Sequence, residues 1–118
     1  MPKKRMAVEF GLGTDLRGQD YTKAAIRALK DALWHNSLTM AQAFGFPPEA
    51  MIVHIRIGVQ QPDQVDKSAV AAILPYGTAE VETAFGGMDI TSPDGNTTIT
   101  ANAAAIVYFD IEEGVAGR

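Results

Sequence analysis

The densest group of polar residues in the chain lies between a short apolar segment and a helical segment, at residues 11–23. A strand-to-helix junction often binds a ligand, because the first amides of the helix are free and its dipole is positive there. Carboxylates and amides bind polar groups, whereas arginine and lysine bind anions. The sequence therefore predicts that a small polar or anionic ligand binds here, at Gly11, Gly13, Asp15, Arg17, Gln19, Asp20 and Lys23.

The same segment also has a purely structural interpretation. Its glycines do not match a dinucleotide fingerprint, since Gly13 and Gly18 are five residues apart, and no lysine followed by serine or threonine stands at Walker spacing. Asp20 is a good helix cap, and Asp15 can brace its own loop as an Asx-turn. Lys23 falls on the outer side of the helix, which favours a solvated role over catalysis within one subunit; the alternative is a site shared with a neighbouring subunit.

Candidates for catalysis are Lys23, His54 and Asp15. His54 stands in an alternating strand, where it can act as a general base or make a hydrogen bond at an interface. Gly86 and Gly87 interrupt the strand that follows, which indicates a bulge or a close backbone approach and adds them to the candidate ligand-binding residues. No serine lies in a Gly-x-Ser-x-Gly elbow, and no histidine spacing indicates a metal site, so neither a metal nor a cofactor is predicted.

Length and composition favour a single globular domain over residues 1–118, with residues 1–5 and 112–118 as flexible tails. The formal net charge of −4 argues against a broad nucleic-acid surface, which needs a basic stripe. The chain has no cysteine and no apolar run of about 18–20 residues, which argues against disulfides and a membrane span. A cytoplasmic location is the default interpretation.

The order of elements is predicted to be β-α-β-α-β-β. The predicted segments are a strand at 6–10, a helix at 20–35, a strand at 51–59 and a short helix from 63 or 66 to 74. The third strand, at 78–85, is interrupted by Gly86-Gly87 and leads through 88–92 into a hairpin, whose second arm at 97–102 continues as the final strand over 103–110. Strands 1 and 2 are expected to run parallel, and strands 3 and 4 to pair antiparallel. The predicted fold is α/β, in detail an α+β two-layer sandwich with a four-stranded mixed sheet and both helices on one face.

The second face of that sheet is predicted to carry charged residues of both signs, namely Glu9, His54, Arg56, Glu80 and Glu82. Such a face is either solvated or in contact with copies of itself in a ring or trimer. A homo-oligomer is favoured, because one buried face gives a two-layer domain of this size only a modest core.

Several segments resemble a family of small uncharacterised bacterial proteins, the hypothetical proteins of the Lin type. They are Gly13-Thr14-Asp15, Gly18-Gln19-Asp20-Tyr21-Thr22-Lys23, Asn36-Ser37, Pro75-Tyr76-Gly77 and Gly86-Gly87. More distantly, the chain is similar to one repeat of the ring-opening cyclic amide hydrolases, cyanuric acid hydrolase and barbiturase. That resemblance implies the fold and a three-fold assembly.

The resemblance to the cyclic amide hydrolases does not imply amidase activity for this chain, because neither the serine nor the lysine of their catalytic pair is present. The lysine would fall at Leu12 or Gly13 and the serine at Phe85. Three functions therefore stay open: a homo-oligomer that binds a small polar or anionic ligand at the loop, a divergent cyclic amide hydrolase that uses Asp, Lys or His instead, and a structural scaffold without a ligand.

Overall fold

The computed structural model describes residues 3–34, 51–74 and 77–110. In chain order the elements are β1 (Lys3–Asp15), α1 (Tyr21–Trp34), β2 (Ile52–Val59), α2 (Lys67–Ala71), β3 (Thr78–Phe85), β4 (Met88–Thr91) and β5 (Thr97–Asp110), with a 3-10 turn at Pro62–Gln64 before α2. The predictions about His35, the loop that follows it, Pro75-Tyr76 and the tail at 112–118 lie outside the described residues.

The sheet is mixed and has five strands in the described part of the chain, one more than the sequence predicts. Its order is β1-β5-β2-β3, and β4 pairs with β5 at the end where β5 begins. Strands β1 and β2 are both antiparallel to β5, so they run parallel to each other as expected, although β5 separates them. Strand β3 pairs in parallel with β2, so the antiparallel partner of β5 in the hairpin is β4 and not the strand at 78–85.

The helices lie against one face of the sheet, which confirms the predicted two-layer arrangement. Helix α1 packs on β1, β5 and β2, and α2 packs on α1 and β3. The buried core contains alternate residues of two central strands, together with one face of α1. These core residues are Val53, Ile55, Ile57 and Val59 of β2, Ile99, Ala101, Ala103, Ala105 and Val107 of β5, and Tyr21, Ala24, Ala25, Ala28, Leu29 and Ala32 of α1.

Strand β1 is longer than the sequence predicts, and this corrects the position of the loop. The backbone from Gly11 to Asp15 continues the ladder with β5, so the connection to α1 begins only at Leu16. At its other end the strand includes residues 3–5, which the sequence assigns to a tail. Two glycines within a strand lower its intrinsic propensity, but tertiary packing decides the outcome here.

Helix α1 begins where the sequence predicts, because Asp20 caps it. The Oδ1 atom of Asp20 accepts a hydrogen bond from the backbone N–H of Lys23 at 3.1 Å, and its carbonyl accepts from Ala24 at 3.1 Å. A cap of this type stabilises a helix by about 1 kcal/mol. Asp66 caps α2 in the same way, by accepting from the N–H of Ala69 at 3.2 Å. No helix in the described residues is long and apolar enough to cross a membrane.

The β4–β5 turn has the chemistry predicted for it. Gly95 has a φ of +92°, which a glycine adopts at low cost, and its N–H donates to the carbonyl of Ser92 at 2.9 Å. The carboxylate of Asp94 accepts from the Ser92 hydroxyl and from the backbone and side chain of Asn96, and these hydrogen bonds lower the pKa of Asp94.

Candidate functional site

The turn between β1 and α1 is held together by Asp15. This side chain is buried, and its Oδ2 atom accepts a hydrogen bond from the backbone N–H of Asp20 at 2.9 Å. Its Oδ1 atom lies 3.7 Å from Nη1 of Arg27 on α1. A Cβ at Gly18 would lie 2.7 Å from the same carboxylate, so the turn closes tightly over it. Asp15 therefore braces the turn, as its alternative structural interpretation predicts.

Gly11 and Gly13 have a structural role in helix packing. A Cβ at Gly11 would lie 2.3 Å from the Ala28 carbonyl oxygen, and one at Gly13 would lie 2.2 Å from the Ala28 nitrogen. Both distances are far below contact, so only glycine allows α1 to lie this close to β1. Ligand binding by these two residues stays a prediction.

Three other predicted residues of the turn project into solvent. Arg17, Gln19 and Lys23 are exposed, and Gln19 has a φ of +54°. The exposed position of Lys23 on α1 agrees with the prediction that it faces away from the core. The structure places these groups on an exposed surface around the start of α1.

Gly86 and Gly87 lie between β3 and β4, where the backbone passes close to β2 and β5. The N–H of Gly87 donates to Oδ1 of Asn102 at 3.1 Å, and the Gly86 carbonyl accepts from Nε2 of Gln60 at 3.0 Å. A Cβ on Gly87, whose φ is +63°, would lie 2.1 Å from the Thr100 carbonyl oxygen. The predicted close backbone approach is therefore confirmed.

The side of the sheet that faces away from α1, here called the outer face, carries most of the predicted charges. Nε of Arg56 lies 2.5 Å from Oε1 of Glu82, and Nε2 of His54 lies 3.4 Å from the same oxygen. Glu80 pairs in register with His54 on β2. Glu9 is the exception: it is opposite Ala105, a fully buried core residue, so its register places it on the helix side.

The outer face also carries exposed apolar side chains, which the sequence analysis missed. Phe10 and Leu12 of β1 are 69% and 64% exposed, and Met88 and Ile90 of β4 are 58% and 56% exposed. Leu16, just after β1, is 64% exposed. In the sequence Phe10, Leu12 and Leu16 alternate with Gly11, Gly13 and Asp15, which are buried. Because two of the three buried residues are glycines, the alternation does not show an apolar face on the helix side of β1.

A groove of about 250 Å³ crosses the outer face. Its floor consists of small residues from three strands and the turn after β3, and the side chains of Phe10, Arg56 and Asn102 stand at its sides. The lining includes Phe10, Arg56, Gly58, Ala84, Phe85, Gly86, Asn102 and Ala104. Of the predicted ligand-binding residues, Gly86 lines this groove. The sequence does not predict Phe10, Phe85 or Asn102 as site residues. These three are far apart in the chain, and the pairing of the strands brings them to the groove.

A second unpredicted contact joins α1 to β4. The Tyr21 hydroxyl donates to Oδ2 of Asp89, and Oδ1 of Asp89 is buried without a partner. The hydrogen bond to Asp89, burial and the negative charge of Asp89 raise the pKa of Tyr21, which a weaker hydrogen bond with Gln61 opposes. The contact anchors the β4–β5 hairpin to the helix layer.

Comparisons with known proteins agree with one of the two resemblances. A crystal structure of an FtsZ-like protein of unknown function from Nostoc punctiforme is 32% identical, with a TM-score of 0.84, over 94% of this chain and 99% of that one. No curated protein matches the chain. The similarity to a repeat of the cyclic amide hydrolases receives no support. A family model described as a conserved hypothetical protein, Lin0512_fam, matches residues 5–107, and the chain therefore belongs to that family.

Proposed function

We propose that the protein is a homo-oligomer whose copies meet through the outer face of the sheet, and that it binds a small polar or anionic ligand at that face. The observation that carries the proposal is that four large apolar side chains are exposed on this one face, Phe10 and Leu12 on β1 and Met88 and Ile90 on β4. Several large apolar side chains exposed on one face of a small domain usually mark a contact surface. The similar protein from Nostoc punctiforme is described as FtsZ-like and of unknown function, so it supplies no activity.

A second copy of the chain is the partner that the charges favour. On the outer face, His54 and the cation Arg56 stand on β2, and the anions Glu80 and Glu82 stand beside them on β3. A face that presents a cation beside anions can match its own copy after a rotation, whereas a face of one sign would need a different partner.

The edge of β1 is a poor alternative for self-association. The outward N–H of Leu12 donates to Oδ2 of Asp31 at 2.9 Å, and the carbonyl of Thr14 accepts from Nη1 of Arg27 at 2.6 Å. Side chains of α1 therefore occupy two of the edge backbone groups to which another strand would bind. This supports face-to-face contact over strand addition at β1.

The ligand has two possible locations, the turn at residues 16–20 and the groove. In the turn, the carboxylates of Asp15 and Asp20 already accept backbone hydrogen bonds. The polar side chains that remain there for a ligand are exposed on an open surface. The groove offers a concave surface with polar side chains beside it, which is how small-molecule sites are usually built. The groove is therefore the better supported location.

Sedimentation velocity over a range of protein concentrations tests the assembly. Leu12→Glu and Ile90→Glu each place a charge on the outer face, and each should shift the protein toward the monomer. Ala72→Glu is the matched control, because Ala72 is an exposed apolar residue beside α2. A wild-type protein that stays monomeric at hundreds of micromolar, or variants that assemble as the wild type does, would contradict the proposal.

One observation supports a second function, a divergent ring-opening hydrolase. His54 lies against the Glu82 carboxylate, an arrangement in which a carboxylate orients an imidazole that acts as general base. Turnover of cyclic imides and ureides by the wild type, lost in His54→Ala, would support this function. Equal rates for the two proteins would exclude it.

A further inference from the structure

We infer that the groove on the outer face binds a small molecule in which a carboxylate is joined to a flat apolar body. The inference rests on the proposed ligand-binding function and names the chemical class of the ligand. It is carried by the shape of the groove, by the donors at its side and by the ring of Phe10 that lines it.

The shape of the groove favours a small, flat molecule. Gly58, Ala84, Gly86 and Ala104 contribute almost no side chain, so the floor is formed mostly by backbone. The volume of about 250 Å³ is below the roughly 300–1,000 Å³ of sites for drug-sized ligands. A single ring with one substituent fits such a space.

The polar groups at the groove are mainly donors. Arg56 uses Nε for its ion pair with Glu82, which leaves its two terminal nitrogens for a ligand, and its side chain is 56% exposed. Asn102 accepts through Oδ1 from the N–H of Gly87, so its Nδ2 group remains as a donor. A carboxylate can take two parallel hydrogen bonds from a guanidinium and a further one from an amide.

The ion pair with Glu82 strengthens this assignment because it fixes the orientation of the guanidinium. An arginine held at Nε loses less rotational freedom when its terminal nitrogens bind a carboxylate. The Glu82 carboxylate would also repel a second anion at the Nε side, so the terminal nitrogens are the favoured contact. A neutral amide would gain less from the same donors.

The apolar body of the ligand has one aromatic partner. Phe10 is 69% exposed on the outer face, so its ring is accessible to a ligand. Phe85 is opposite the buried Val59 in the β2–β3 register, which places its ring on the helix side. Aromatic pairs in offset or edge-to-face arrangements are stabilised beyond the area that they bury. A ligand with a ring beside its carboxylate would use both features of the groove.

A neighbouring hollow of about 330 Å³ shares Phe10 and Asn102 with the groove but is lined by an anion in place of Arg56. The charged side chain in its lining is Asp31, whose carboxylate accepts from the N–H of Leu12. An anion would be repelled there. The carboxylate of the ligand is therefore assigned to the Arg56 side of Phe10.

Titration of the 15N-labelled protein with benzoate, with acetate and benzamide as comparisons, tests the inference. Benzoate should shift the amide signals of Gly58 and Gly86, whereas acetate lacks the ring and benzamide lacks the charge, so each should bind at least several-fold more weakly. Arg56→Gln should weaken benzoate binding by about tenfold or more, since a hydrogen bond to a charged group is lost. Lys30→Gln, which removes an exposed cation on α1 outside both candidate locations, should leave it unchanged.

A second variant tests the groove without removing the charge. Ala84→Leu fills the floor and should abolish binding while Arg56 stays in place, and Ala72→Leu is its control outside the groove. If benzoate shifts only the turn amides of Gly18 and Gln19, a ligand function stands and the groove assignment is wrong. If no amide shifts, or if benzamide binds as well as benzoate, the carboxylate assignment is wrong, whatever sedimentation shows about the assembly.

Discussion

Gly13 of β1 lies directly under Ala28 of α1, and the two backbones approach so closely that no side chain fits between them. A Cβ built on Gly13 would lie 2.2 Å from the Ala28 nitrogen and 2.5 Å from the Ala24 carbonyl oxygen. The obstructing atoms are helix backbone, which cannot move aside as a flexible side chain would. The glycines of β1 and the alanines of α1 therefore form one packing unit.

Gly13→Ala should destabilise the fold by about 2 kcal/mol or more, because overpacking a close helix-to-sheet contact forces the backbone to shift. The free energy of unfolding from urea denaturation measures the effect. Gly95→Asn is the control: Gly95 has no atom within 4 Å of its hypothetical Cβ, and asparagine tolerates its positive φ, so a change below about 1 kcal/mol is expected. Equal losses in both variants would contradict the packing role of Gly13.

This packing explains how much of the fold could be predicted. Alternation in Val53, Ile55, Ile57 and Val59 and helical spacing in α1 indicated both core faces correctly, because their side chains carry the apolar signal. The extension of β1 to Asp15 could not be predicted, since Gly11 and Gly13 have no side chain to show which face is buried. The insertion of β5 between β1 and β2 depends on pairing over a long sequence distance, which local patterns do not encode.

Asp15→Asn should destabilise the protein by about 1–3 kcal/mol. The substitution removes the buried negative charge beside the Arg27 guanidinium and leaves one acceptor oxygen where the carboxylate uses two, one for the Asp20 N–H and one facing Arg27. Thermal and urea denaturation measure the loss. Asp63→Asn, at an exposed position in the 3-10 turn, should change stability by less than about 0.5 kcal/mol. A loss for Asp15→Asn as small as that of the control would show that the turn does not depend on this carboxylate.

The link between Tyr21 and Asp89 should make stability fall at alkaline pH. Because the folded-state pKa of Tyr21 is raised above the unfolded value of about 10, its contribution is fully present below pH 10 and is lost as the pH rises through the folded pKa. Tyr21→Phe should be less stable than the wild type at pH 8 and should lose less stability between pH 9 and pH 11. Urea denaturation at each pH measures both effects. Parallel curves for the two proteins would contradict this assignment.

The candidate site was predictable only in part, for a physical reason. His54, Arg56 and Glu82 could be placed on one face by alternation alone, and the structure brings them together. Asn102 and Phe10 reach the same groove because β5 pairs with both β1 and β2, a register that no motif in the chain specifies. The turn residues were easier to find, since glycines, carboxylates and a helix cap lie close together in sequence.

Asp31→Ala should make the protein aggregate faster while it unfolds at nearly the same denaturant concentration. Asp31 is exposed and accepts from the N–H of Leu12 on the edge strand β1, so its loss leaves a backbone donor open to another strand. The lost hydrogen bond should cost about 1 kcal/mol or less. Asp63→Ala makes the same change in net charge, so light scattering of the two variants at one concentration and temperature isolates the edge effect. If Asp31→Ala aggregates no faster than Asp63→Ala, the carboxylate does not protect the edge, and strand addition at β1 becomes a competitor to contact through the outer face.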